Sequence, residues 1–157
     1  MARASAFHCL ITCGCLLLTA IHAGAGERSG KAEFLNSKEA LAGNLPFSEA
    51  VSAGNYLFLS GQIGNTGGKL VEGGIVPEAR QAMQNVKSVL ERNGAALTDV
   101  VKCTVFLADI AEWPTFNNVY REFFHQPFPA RSALAASGLA MNARVEVECI
   151  AYVPRAR

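Results

Sequence analysis

The chain has 157 residues, half of them hydrophobic and 17% charged, with 14 basic against 13 acidic side chains. That length suits one compact domain with a sizeable core. A near-neutral balance with no basic tract excludes an electrostatic footprint for nucleic acid.

The first stretch does not belong to the core. Arg3 supplies a small positive n-region, Cys9 to Ile21 is almost wholly apolar or small, and Ala23-Gly24-Ala25 is a small-x-small cleavage pattern. Together they predict a secretory signal over 1–25, cut after Ala25, and an exported domain over 26–157 that is periplasmic or secreted. A membrane anchor would need about 20 apolar residues, and this run falls short. A lipoprotein signal is a weaker rival, because neither Cys13 nor Cys15 follows the usual small residues. Losing Arg3 with the signal leaves 13 basic against 13 acidic residues. Cys9, Cys13 and Cys15 leave too. Cys103 and Cys149 remain, and an oxidising compartment opens one bridge to them. Both fall on apolar faces of predicted strands, however, which favours buried free thiols acting as small hydrophobes. The mature chain keeps one histidine, His125, and has no metal-ligand spacing, so no metal is expected.

In chain order, Glu27 to Lys31 is polar and expected to fray, and Lys38 to Pro46 reads as an irregular approach. Glu49 to Ala53 and Tyr56 to Ser60 read as strands around Gly54-Asn55, a glycine-first turn of type II′. Ser60-Gly61-Gln62-Ile63 ends the second strand, and the five glycines of Gly64 to Gly74 predict a loop. Pro77 fits the first turn of a helix. From there Ala79, Ala82, Met83, Val86, Val89 and Leu90 form one apolar stripe, closed by Asn93-Gly94. Val100 to Leu107 alternates, with Val101, Cys103, Val105 and Leu107 on one face and Lys102, Thr104 and Phe106 on the other. A second helix begins near Pro114 and turns Phe116, Val119, Tyr120, Phe123 and Phe124 inward; Asn117 and Asn118 on it read as solvent-facing amides. Ser132 to Ser137 is a further strand. Arg144 to Val153 is the clearest, with Val145, Val147, Cys149, Ala151 and Val153 facing one way and Glu146, Glu148, Ile150 and Tyr152 the other.

This order predicts an α+β domain: one mixed or antiparallel sheet with two helices on one face. The other face carries Phe58, Phe106, Ile150 and Tyr152 beside Glu146 and Arg131. It is too apolar for water and too charged for a core, which points to an oligomer interface containing pockets. Arg131 follows a stiff Phe128-Pro129-Ala130 lead-in. Proline fixes its own φ and extends the residue before it, so this arginine is aimed by its backbone. Alone it is a weak signal, since most arginines are surface residues or salt-bridge partners.

Ordered motifs give it a setting: Pro46-Phe47-Ser48-Glu49-Ala50-Val51, Leu59-Ser60-Gly61-Gln62-Ile63, Ala79-Arg80-Gln81-Ala82-Met83-Gln84-Asn85-Val86 and Val101-Lys102-Cys103-Thr104-Val105-Phe106-Leu107. Asn117, Tyr120, Phe123 and Phe124 follow, then Pro129-Ala130-Arg131-Ser132 and Val145-Glu146-Val147-Glu148-Cys149-Ile150-Ala151. From about Pro46 to Tyr152 the sequence resembles the RidA (YjgF-type) enamine/imine deaminase family. The resemblance implies a chorismate-mutase-like trimer with sites in clefts between subunits. It also implies hydrolysis of 2-imino acids to 2-keto acids and ammonia, with no cofactor. By resemblance Arg131 binds the substrate carboxylate and Glu146 positions or activates the attacking water. Phe47, Ser60, Gly61, Asn117 and Ala133 complete the pocket. Phe47 stands where tyrosine is common and Ala133 where cysteine is common. Leu134 to Met141 lacks the usual valine-rich run and its closing Leu-Pro. The rival readings are a non-catalytic trimeric binder of small carboxylates, or a holdase-like protein, on the same scaffold. In that reading Glu146 merely pairs with Arg131 or Arg144. Ribonuclease activity, attached to relatives of the family, is disfavoured by the neutral charge.

Overall fold

The computed structural model describes residues 31–154; the predicted signal segment and most of the polar stretch after it lie outside them. The described chain begins with a short strand, β1 (Glu33–Leu35), and a five-residue helix, α1 (Lys38–Ala42). The helix falls where an irregular approach was expected. One turn is too short to show an apolar period, yet its residues are mostly good helix formers. The Ser37 hydroxyl caps it by accepting the Ala40 N–H at 3.1 Å.

The expected hairpin forms from β2 (Ala50–Ala53) and β3 (Tyr56–Leu59), with Ala53 opposite Tyr56. Gly54 takes φ +58°, as a glycine-first two-residue turn requires. The chain then makes β4 (Gln62–Ile63) and a small separate hairpin, β5 (Asn65–Thr66) with β6 (Lys69–Leu70), inside the glycine-rich segment expected to be loop. The stripe helix is α2 (Ile75–Arg92), with Pro77 in its first turn, and Gly94 beyond its end takes φ +74°. Every predicted stripe residue of α2 is buried.

The long strands are β7 (Val100–Leu107) and β9 (Val145–Tyr152), with α3 (Trp113–Phe123) and β8 (Ala130–Ala135) between them in sequence. The sheet order is β1-β2-β3-β9-β7-β8, and β4 also pairs with β9. Only β7 and β8 run parallel; the other pairs are antiparallel. The predicted α+β architecture with a mixed sheet is the one observed. Cys103, Val105 and Leu107 of β7 and Val145, Val147, Cys149 and Ala151 of β9 bury one sheet face beneath α2 and α3. One residue departs from the predicted alternation. Val100 pairs with Ala151 but Lys102 with Ile150, so a bulge inserts Val101 and turns it outward, 42% exposed.

Cys103 and Cys149 are register partners at the centre of the buried face, and they form a disulfide with S–S 2.04 Å. This corrects the expectation of free thiols. Two cysteines on core faces of neighbouring strands look like independent hydrophobes until pairing places them directly opposite, with Cα atoms 4.1 Å apart. The sheet face away from the helices stays open in a single chain. Tyr56, Phe58, Leu134 and Tyr152 are all at least 40% exposed there, and Tyr56 packs its ring on that of its register partner Tyr152 at 5.3 Å.

Candidate active site

The site residues fall into two groups held by different parts of the sheet. The first is built around Arg131. In the parallel register of β7 and β8, Arg131 lies beside Cys103 and Ala133 beside Val105. Both partners are core residues, so Arg131 and Ala133 share the helix side of the sheet. The Arg131 guanidinium lies over two rings of α3, 4.6 Å from the centroid of Tyr120 and 5.9 Å from that of Phe116. One of its nitrogens, Nη2, donates to Asn117 Oδ1 at 2.6 Å. The aromatic ledge and the amide hold the cation in one orientation, a flat guanidinium being suited to stacking. Asn117 therefore faces Arg131 and not solvent, because it sits one turn before Tyr120 on the same helix face.

Among the described residues Arg131 has no carboxylate partner. Arg80, Arg92 and Arg144 pair with Glu122, Glu49 and Glu112, whereas among the described residues no acid reaches Arg131. Burial pushes its pKa down, the neighbouring Tyr120 opposing this and the Arg121 cation adding to it. The Tyr120 hydroxyl is buried with no hydrogen-bond partner, and burial pushes it up to about 12, against the pull of Arg131. It stays a neutral phenol. A partly buried cation with no acid beside it among the described residues, and only Nη2 hydrogen-bonded, can receive an anion with two oxygens. It opens into a cavity of about 380 Å³ lined by Trp113, Asn117, Tyr120, Arg121, Phe128, Pro129 and Arg131.

The second group surrounds Glu146. On β9 it pairs with Phe106 of β7 and Ile63 of β4, between the fully buried Val145 and Val147, so its side chain faces away from the helices. There it lies across the backbone of Gly61. A Cβ at Gly61 would sit 1.8 Å from Glu146 Oε1 and 2.6 Å from its Cδ. Glycine is needed at this position because the carboxylate occupies the space of a side chain. Burial raises the Glu146 pKa, with Glu148 two residues on adding like charge. Ser60, next to Gly61, donates its hydroxyl to Ser48 O at 2.6 Å and its N–H to Glu49 O at 3.0 Å. These bonds tie the segment bearing Phe47 to this group; Phe47 itself is 55% exposed.

The structure thus brings Arg131, Asn117 and Ala133 together, and separately Glu146, Gly61, Ser60 and Phe47. It does not unite the two groups within one chain. No Arg131–Glu146 ion pair forms, and Arg144 pairs with Glu112 through Nε at 2.8 and 3.0 Å and through Nη2. Sequence reasoning placed Tyr120 on the apolar side of a helix and among the motif residues, without a pocket role, and gave Trp113 no role. Tyr120 was absorbed into helix periodicity and Trp113 into the turn that leads into the helix, and nothing in the spacing marked either as a pocket wall. Among the described residues no cluster of His, Cys, Asp or Glu is arranged to hold a metal, and no helix is long and apolar enough to cross a membrane.

Comparisons with known proteins agree on the family. The family model described as Endoribonuclease L-PSP matches residues 37–153. A 2-iminobutanoate/2-iminopropanoate deaminase of Dermatophagoides farinae is 46% identical over 110 residues, covering 69% of this chain and 86% of its own. The Bos taurus protein of the same name is 40% identical over 121 residues, covering 76% and 88%. Among solved structures, yeast Mmf1 superposes with a TM-score of 0.68 at 36% identity, covering 77% of this chain and 93% of its own. RidA from the Antarctic bacterium Psychrobacter sp. PAMC 21119 gives 0.67 at 35%, covering 69% and 89%. With residues 37–153 matched by the family model, and relatives alike in sequence and fold, the chain belongs to the RidA (YjgF-type) deaminase family.

Proposed function

We propose that this protein hydrolyses 2-imino acids to 2-keto acids and ammonia, at sites shared between protomers of a homotrimer. The observation that carries the reading is Arg131: a partly buried guanidinium, stacked and hydrogen-bonded into place, with no counter-ion of its own. A 2-imino acid presents a carboxylate to such a group and sets the reactive C=N carbon one bond beyond it. Relatives at 40–46% identity are named for this chemistry. The open, apolar sheet face is what a partner protomer would cover, and a neighbour would bring its Glu146 group to the Arg131 pocket.

At such a shared site Glu146 takes a proton from water as the oxygen bonds to the imine carbon and the C=N pair moves to nitrogen. Returning that proton to nitrogen gives the neutral carbinolamine; Glu146 then takes the hydroxyl proton and passes it to the nitrogen as the C–N bond breaks, so ammonia leaves and the keto acid remains. A carboxylate with a raised pKa suits both transfers, because it is basic enough to accept the proton and acidic enough to return it. Imines already hydrolyse in water, so orientation and a placed water are enough. No covalent intermediate or cofactor is required. We further propose that the domain works outside the cytoplasm. The predicted signal over 1–25 and the Cys103–Cys149 bridge both favour an oxidising compartment.

The test is keto-acid formation by the purified domain while an amino-acid oxidase generates imine in situ. Acceleration over the spontaneous rate, lost in Arg131→Ala, is the expected result. Identical rates with wild type, variant and no protein would defeat the enzymatic reading and leave a carboxylate binder. Ribonucleolytic cleavage gains nothing from the site: His125 lines a different pocket, with Phe124 and Pro127.

A further inference from the structure

The carboxylate of Glu146 lies on a strand too short to hold itself. β4 is two residues long and makes two pairings with β9, Gln62 with Val147 and Ile63 with Glu146. Gly61, just before it, lies directly against the Glu146 carboxylate. A segment with so few contacts of its own opens easily, so its place has to be fixed from elsewhere.

The anchor is α2, on the opposite side of the sheet from Glu146. The Asn85 amide donates from Nδ2 to Ile63 O and to Asn65 O, each at 3.0 Å, and its Oδ1 accepts from Gln81 Nε2 at 2.8 Å. It clamps the chain on both sides of Gly64. Gly64 itself lies on the α2 backbone, where a Cβ would sit 2.4 Å from Glu78 O and 2.6 Å from Glu78 Cα. The Glu78 side chain then reaches the other strand. It is 6% exposed, and its Oε2 accepts the backbone N–H of Arg144, the residue that leads into β9, at 2.8 Å. An acid is rarely buried unless its oxygens are used, and this one is used 66 residues away in sequence, at the strand that carries Glu146. Glu78 and Asn85 stand two turns apart on the helix, and so on one face of it. Each grips backbone, and both strands that frame Glu146 are gripped.

We infer that Glu78 and Asn85 are positioning residues for Glu146: from α2 they fix the backbone of β4 and β9, and so the place of the carboxylate between them. The clamp rests on the hydrogen bonds alone; its effect on turnover rests in addition on the proposed hydrolysis at Glu146.

The experiment pairs turnover with a readout that needs none. With imine generated in situ by an amino-acid oxidase, Glu78→Ala and Asn85→Asp should each lower kcat about ten- to a hundredfold, with KM little changed. Asn85→Asp keeps the shape of the side chain and removes the donor. Glu78→Gln keeps an oxygen to accept the Arg144 N–H and should retain most of the wild-type kcat. Leu90→Ala, a core truncation at the far end of α2, should lower Tm but leave kcat unchanged below it. In parallel, carboxyl ¹³C NMR follows the titration of Glu146, with Glu148, the neighbouring like charge, left in place in every variant. Its midpoint should move in Glu78→Ala and Asn85→Asp and return in Glu78→Gln. A Glu78→Gln variant as slow as Glu78→Ala, or an unmoved midpoint in Asn85→Asp, would overturn the inference. If wild type does not accelerate imine hydrolysis, the hydrolytic reading fails by itself; a midpoint that still moves in the two variants would uphold the clamp.

Discussion

Arg131 and Glu146 lie on the two strands that flank β7, yet they face opposite sides of the sheet. Arg131 sits beside Cys103, which is fully buried under the helices, and Glu146 pairs with Phe106, which faces the other way. Because side chains alternate along a strand, no rotamer brings the two together in one chain. On the proposed reading, each is the centre of half a site. The guanidinium half is built by α3 and β8, and the carboxylate half by β4, β9 and Gly61.

Removing the cation should remove catalysis. Truncating one member of a desolvated charge contact costs about 2–5 kcal/mol, so Arg131→Ala should lower kcat/KM by that amount. Arg131→Lys should recover little, since an ammonium has no planar pair of donors and stacks less well on Tyr120. Steady-state kinetics with imine generated in situ measures both variants. A lysine variant close to wild type would show that charge alone suffices.

Gly61→Ala separates positioning from binding. The added methyl falls on the Glu146 carboxylate, the end of a flexible side chain, so Glu146 should swing away while the fold persists. The expected outcome is a kcat reduced at least tenfold, about 1.4 kcal/mol or more, with carboxylate affinity at Arg131 retained and Tm little changed. A normal kcat would show that Glu146 has no role in placing water.

The raised pKa of Glu146 has two consequences with defined signs. As the base it must be ionised, so kcat should rise with pH through a midpoint above the ordinary carboxylate range, and Glu146→Gln should abolish that limb. For stability, the folded state holds this proton to higher pH than the unfolded chain does. Its contribution is therefore full below the unfolded pKa and is lost as pH rises through the folded one. Denaturation of wild type and Glu146→Gln across the acidic range should show wild type losing ground in that window. A gap that widens the other way would contradict the burial of this carboxylate.

The main elements were legible because they carry periodicity. The α2 stripe and the alternation of β9 put every named core residue where it was expected. What escaped the sequence depends on register. The bulge at Val101 is an insertion relative to β9, and neither strand shows it alone. The Cys103–Cys149 bridge arises only once those strands are paired. The opposed faces of Arg131 and Glu146 escaped for the same reason: each strand alternates clearly, but their relative phase is set through β7. Asn117 was read as solvent-facing because its partner lies 14 residues away on another element.

The disulfide closes a loop between residues 46 apart, with both sulfurs in the core. A bridge of this kind typically contributes about 2–4 kcal/mol, so the Cys103→Ala, Cys149→Ala double variant should lose about that much in denaturant unfolding. Intact mass of protein recovered from an oxidising compartment should be lower by one pair of hydrogens and resist alkylation until unfolded. Free thiols on native protein recovered from such a compartment would contradict the bridge.

The central claim is that one protomer's Arg131 works with another's Glu146, and coexpression of two inactive variants tests it directly. Arg131→Ala and Glu146→Gln chains are each expected to be inactive alone. Mixed at equal amounts within a cyclic oligomer, about a quarter of the shared sites would combine an intact Arg131 with an intact Glu146. Imine hydrolysis at about a quarter of the wild-type rate is the predicted result. Mixed oligomers that form and remain inactive would contradict a shared site.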